Sequence, residues 1–285
     1  MPALTAKTGF VRFIVLQEML LNSPTLMKTR MLARLEIPRI RSYSKAVVFA
    51  GSLLFAALSA GNAQAQQHLS KRYPAGKNVR VELKNISGTI TVESWNRDEI
   101  KLSAELESPK ANLTPRQSGD ELIVDVLGDN RGRGDIGNIN FRLQVPINSS
   151  VDLETKRGNI TVNNIHGGLV RAHVSSEGDI TLTDISATQV FAQNTIGDIF
   201  FDGEFARGGT YQFQSGKGNI NIRIPADSAF NLVAAAPNRK ITLGEFWNDR
   251  FKSMGDGRKY EGVVVDGRSK VIVTNFQGSI TFVRR

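Results

Sequence analysis

An all-β fold is what this sequence predicts: a parallel β-solenoid of roughly eight to ten rungs built on two main sheets. Two observations carry the prediction. A phrase of Gly, a polar residue and Ile returns at Gly158-Asn159-Ile160, Gly178-Asp179-Ile180, Gly197-Asp198-Ile199 and Gly218-Asn219-Ile220, its glycines 20, 19 and 21 residues apart. A period of that size belongs to stacked repeats, each too small to bury its own apolar face. The second observation is parity. With glycine as zero, positions two and four are apolar (Ile160 and Val162, Ile180 and Leu182, Ile199 and Phe201, Ile220 and Ile222), while position three is mostly polar. That alternation describes a strand with one buried face. A second alternating strand precedes each glycine: Val151 and Leu153; Val170, Ala172 and Val174; Val190 and Ala192; Tyr211 and Phe213. Each rung is then strand, glycine corner, strand, turn. The corner favours glycine because glycine takes positive φ without steric cost, and the polar residue after it ties the turn backbone. The Val170 strand carries one extra residue before its glycine, which a β-bulge absorbs.

The elements follow in order. Residues 1–65 read as a signal peptide with an over-long N-terminal extension. Arg39, Arg41 and Lys45 precede 15 apolar or small residues, Ala46 to Ala60, and Ala63-Gln64-Ala65 is an A-x-A cleavage signature. The apolar run is short for a membrane span; an uncleaved signal anchor is the rival reading. The stretch before Lys45 exceeds an ordinary basic leader region, so Met27 and Met31 compete with Met1 as the start. Cleavage after Ala65 leaves Gln66 to Arg285, 220 residues, as one solenoid domain. Within it, 78–136 form irregular entry rungs, where Gly88-Thr89-Ile90 copies the phrase and Gly119-Asp120-Glu121-Leu122 is a degenerate rung. Regular rungs occupy 137–243, opening on Gly137-Asn138-Ile139. Residues 245–260 interrupt the period, and 261–285 return to it as terminal rungs around Gly278-Ser279-Ile280.

Charge and cysteine narrow the function classes. Residues 1–65 hold eight of the 36 Lys/Arg and two of the 27 acids, so the remainder keeps 28 against 25, a net +3 of the chain's +9. The basicity belongs mostly to targeting, and the rest shows no basic stripe of the kind nucleic acid requires. The chain has no cysteine, which removes disulfides, thiolate metal sites, cysteine nucleophiles and lipid attachment at a lipobox. The expected location is the periplasm, the outer surface or the medium.

The strings LQVPINSSVDLETKRGNITV (143–162), SEGDITL (176–182) and GKGNINIRIP (216–225) resemble the putative-adhesin repeat domain of secreted bacterial proteins, a domain of unknown function. ISGTITVESWNRDEIKLSAE (86–105) is similar to that family's entry segment. The resemblance covers about residues 78–285. It implies a right-handed β-solenoid in the cell envelope, and it brings no catalytic residues. The insert at 245–260 departs from the family pattern.

Candidate chemistry is sparse. Asp179 and Asp198 share a repeat position and stack as like charges, which a cation would relieve. With Glu177 they make a weak calcium site, since calcium wants six or more oxygens; the competing reading is an exposed turn ladder of Asn159, Asp179, Asp198 and Asn219. Asp184 and Asp202 are the acid pair of an alternative, polysaccharide-active enzyme, which needs two carboxyls roughly 5–10 Å apart in a groove. His68, His166 and His173 have no metal-ligand spacing, and His173 has outward parity. No Gly-x-Ser-x-Gly elbow or P-loop is present. Arg133-Gly134-Asp135 spells an integrin tripeptide in a glycine-rich loop, a match common by chance. Phe200 has outward parity. The insert gathers Phe246, Trp247, Arg250, Phe251, Lys252 and Tyr260, residue types that anchor interfaces on a loop carried by a rigid scaffold. It reads equally as a cap over the open end of the core. The expectation is a non-enzymatic envelope scaffold that binds a protein or glycan partner and needs no cofactor.

Overall fold

A computed structural model describes residues 67–285 of the protein. The signal segment, its cleavage site and the alternative starts lie outside these residues. Among the described residues no helix is long and apolar enough to cross a membrane.

The entry part contains β1 (Gln67–Pro74), β2 (Arg80–Ser87), β3 (Ile90–Trp95), β4 (Glu99–Leu106), β5 (Arg116–Ser118), β6 (Glu121–Asp125), a one-turn helix α1 (Val126–Asp129) and β7 (Ile139–Pro146). The regular part runs β8 (Ser150–Arg157), β9 (Ile160–Ile165), β10 (Leu169–Glu177), β11 (Ile180–Ile185), β12 (Gln189–Ile196), β13 (Ile199–Gly203), β14 (Thr210–Lys217) and β15 (Ile220–Ile224). The last part holds β16 (Phe230–Ala235), β17 (Ile241–Thr242), a 3-10 turn (Gly244–Phe246), β18 (Lys252–Met254), β19 (Lys259–Val264), β20 (Ser269–Asn275) and β21 (Ile280–Arg284). The strands form a 10-stranded sheet, ordered β1-β4-β7-β3-β9-β11-β13-β15-β21-β17. An 11-stranded sheet faces it, ordered β18-β19-β16-β20-β14-β12-β10-β8-β2-β6-β5. The chain is a parallel β-solenoid: each regular rung gives one strand to each sheet, and a glycine corner joins the two.

Parity explains the packing. Ile90, Ile160, Ile180, Ile199, Ile220, Ile280 and Ile241 lie side by side in register along the first sheet. All are buried. A one-residue slip in any rung would turn its isoleucine to solvent, so the apolar column also fixes the register. The column beside it runs Val92, Val162, Leu182, Phe201, Ile222 and Phe282. Toward the C-terminal end the core becomes aromatic: Phe205 packs 4.4 Å from Tyr211 and 5.3 Å from Phe230, and Phe230 contacts Phe282 and Phe246. The extra residue before Gly178 is absorbed where the register of β10 shifts between Val174 and Glu177.

The order of rungs in space is not their order in the chain. β3 lies between β7 and β9, and β2 between β6 and β8. At the other end β21 lies between β15 and β17, and β20 between β14 and β16. Three expectations are corrected. Gly137 is not the neighbour of Gly158 in the stack, because the Gly88 rung separates them. Residues 261–285 are not terminal rungs: β20 and β21 form an interior rung, and β19 pairs antiparallel with β16, with β18 outside it at the edge of the sheet. Gly119 is no degenerate rung either, but the tight turn of the antiparallel β5–β6 hairpin. The pattern marks which residues form a rung, while the neighbours of a rung depend on connections longer than the period.

Candidate functional site

The glycine corners come first, since the repeated acids lie there. Gly158 has φ of +114°, and a Cβ on it would lie 2.2 Å from the Gly88 carbonyl oxygen. Gly178, Gly197 and Gly218 approach the glycine of the previous rung in the same way. The glycine therefore serves close approach as well as positive φ. The polar residue after it ties one rung to the next. The Asp179 amide donates to the Asn159 Oδ1 at 2.9 Å, the Asp198 amide to Asp179 at 2.8 Å, and the Asn219 amide to Asp198 at 2.7 Å. One oxygen of each carboxylate is thus used by backbone. Among the described residues no group of three or more His, Asp or Glu is placed to hold a metal ion.

Beneath the corners lies a second column that sequence reasoning missed. Asn85, Thr155, Asn194, Ser215 and Asn275 each stand three residues before a glycine, buried at inward parity. The Asn275 side-chain amide donates to Gly218 at 2.8 Å and Ser279 at 3.0 Å, and the Asn194 amide donates to Gly178 at 3.2 Å. Ser215 Oγ donates to the Gly197 carbonyl at 3.2 Å. These side chains hydrogen-bond the corner carbonyls from inside the stack. The signal was legible as a polar residue recurring on the apolar face.

The acids of the enzymatic alternative occupy structural places. Asp202 is buried at 8% exposure and meets Arg223 at 3.3 Å and Arg285 at 3.4 Å. Asp184 is exposed at φ of +54°, the same left-handed corner taken by Asn164 one rung earlier. That conformation suits Asp and Asn. Arg133, Gly134 and Asp135 are exposed, with Arg133 donating to the Lys110 carbonyl at 2.9 Å and Asp135 accepting from the Gly137 amide at 3.0 Å. His173 faces outward 3.8 Å from Glu154, and His68 sits on the exposed strand β1. His166 is exposed in the turn after β9. Phe200 is half-buried rather than exposed.

The insert is divided. Phe246 is 5% exposed and packs edge-on to Phe230 at 5.8 Å, sealing the end of the aromatic core. Phe251 and Tyr260 pack edge-to-face at 6.3 Å against that core. Arg250 donates to the Val265 carbonyl at 2.6 Å, and Asn248 to that of Val263 at 3.2 Å. Lys252 is exposed on β18. Trp247 alone among the aromatics of the insert stands out, at 56% exposure, beside the segment that carries Val265 at 51% exposure and φ of +55°. A β-branched residue at positive φ is strained.

The outer face of the second sheet changes character along the stack. Over β6, β2, β8 and β10 it is laced with ion pairs: Arg80 meets Glu121 at 3.4 Å and Asp152 at 4.0 Å, Arg171 meets Asp152 at 3.1 Å, and Lys84 meets Glu82 at 2.7 Å. Over β12, β14, β20 and β16 the outward residues are amides, threonines and apolar groups, with Lys270 and, at the corner end of β14, Lys217 the charges among them. This panel is three strand spacings wide, about 14 Å.

A family model described as Toastrack DUF4097 matches residues 77–223, just over half of the chain. The chain belongs to the Toastrack family. The match spans the entry rungs and the regular rungs, so the insert and the interior C-terminal rung lie beyond it. No curated protein matches the sequence. A putative cell adhesion protein from Clostridium sporogenes shares 11% identity over 77% of this chain and 100% of its own, with a TM-score of 0.45. A putative adhesin from Bacteroides fragilis shares 12% over 76% and 97%, with a TM-score of 0.30. A putative lipid binding protein from Parabacteroides distasonis shares 11% over 78% and 98%, with a TM-score of 0.27. Likeness at these levels leaves function to the residues of this Toastrack chain.

Proposed function

We propose that this Toastrack protein is a non-catalytic binding scaffold of the cell envelope, exported by the segment ahead of Gln66, with an envelope protein or glycan as its partner. The carrying observation is Trp247, 56% exposed on an insert otherwise pinned down by Phe246, Phe251 and Arg250. A tryptophan held out by a rigid support loses little entropy on binding, and this residue type dominates interface energetics. Catalysis is disfavoured because Asp202 is held by two arginines and Asp184 is an exposed left-handed residue within β11.

The test incubates the purified chain with envelope fractions and a polysaccharide panel. Retention without release of soluble sugar is expected, weakened about tenfold or more by Trp247→Ala at unchanged melting temperature. Sugar release that Asp202→Asn abolishes would replace the scaffold with a hydrolase.

A further inference from the structure

We propose that the charge-poor panel over β12, β14, β20 and β16 binds a neutral polysaccharide lying along the solenoid axis. The proposal rests on the scaffold reading and names a ligand class and a second surface for it. Phe191, Gln212, Ile272 and Val233 stand side by side in register as a central, mostly apolar lane. On one side Gln193 is paired in register with Gln214, and on the other Gln189 with Thr210. All of these project outward, since Val190, Ala192, Tyr211 and Phe213 between them fill the core.

The lanes match the chemistry of a pyranose. A sugar ring has an apolar C–H face, which packs on an aromatic ring and on aliphatic groups, and a rim of hydroxyls. Primary amides present a donor and an acceptor together, as neighbouring hydroxyls require. The lanes repeat at the strand spacing of about 4.8 Å, close to the advance of one sugar in an extended β-linked chain. A polymer crossing the strands would therefore meet the same lanes rung after rung. Polyanions are disfavoured because the panel's cations are only Lys270 and, at the corner end of β14, Lys217, neither of them in the central lane. A protein partner is disfavoured because the panel holds no Trp, Tyr or Arg.

Sedimentation of the purified chain with insoluble cellulose, chitin and a β-1,3-glucan tests the proposal, with pectate as the anionic comparison. The chain should be retained on at least one neutral polymer. Phe191→Ala and Gln212→Glu should each lower the affinity about tenfold or more, and Glu154→Gln on the ion-paired half should leave it unchanged. Gln212→Glu places a charge at a solvent-facing position, so it tests the lane even if Phe191→Ala perturbs folding. Retention on pectate alone, on no polymer, or undiminished in both lane variants would overturn the panel. Loss confined to Trp247→Ala would also overturn it while leaving the scaffold reading in place, whereas released sugar would sink that reading itself.

Discussion

At the scale of single residues, two positions concentrate the physical constraints. Gly158 combines positive φ with a neighbouring carbonyl 2.2 Å from where its Cβ would be. Gly158→Ala is expected to destabilise the protein by about 3 kcal/mol or more, from backbone strain and displacement of the adjacent rung, as read from urea unfolding. Tyr211 is the largest fully buried side chain among the described residues. Its hydroxyl donates to the Ala187 carbonyl at 2.8 Å and accepts from the Ala206 amide at 2.6 Å. Burial pushes its pKa up to about 12. The folded chain holds this proton where the unfolded chain, titrating near pH 10, has released it. Stability from Tyr211 is complete below pH 10 and falls as pH rises toward 12, by about 2–3 kcal/mol. Tyr211→Phe should be less stable at pH 8 by about 1–3 kcal/mol, since two backbone groups lose their partner. It should also lose less stability than the parent between pH 10 and 12. Equal slopes in alkaline melting curves would refute the assignment.

At the scale of elements, the insert sets a buried aromatic, Phe246, directly beside an exposed one, Trp247. Phe246→Ala should cost about 3 kcal/mol, because it opens a cavity at the end of the aromatic column. Trp247→Ala should stay within about 0.5 kcal/mol of the parent; thermal melts of the two variants check both. The rungs were legible in the sequence because a strand's parity is local: Ile160, Ile180, Ile199 and Ile220 declare their face within three residues of a glycine. The bulge before Gly178 was legible as one surplus residue. Of the insert, the composition was legible and its division was not. Phe246 and Trp247 are adjacent and similar in character, and only the position of Phe230 decides which of them is buried. The outer panel escaped notice for a related reason. Phe191, Gln212, Ile272 and Val233 become one lane only when β20 is known to lie between β14 and β16.

At the scale of the molecule, the interior position of β20–β21 makes the C-terminal end of the stack one cooperative unit. β16 reaches β14 only through β20. A buried charge in β20, Val273→Asp, is therefore expected to remove amide-exchange protection from β16 and β19 as well as from β20 and β21. Protection over β8–β13 should persist, because rungs interact chiefly with their neighbours. If exchange speeds up only in β20 and β21, the interleaved order is wrong. The same order slows assembly: β16 must wait for a strand some 40 positions later in the chain, and such non-local pairings are late and slow to form.

The interleaved rungs also govern how the molecule carries load. A strand at the end of a stack peels from one neighbour, breaking hydrogen bonds one after another. Residues 269–284 are instead gripped from both sides, by β14 and β15 below and β16 and β17 above. Tension applied at Arg285 therefore meets the resistance of two interfaces together. A tether attached there would hold by the strength of the whole capped end.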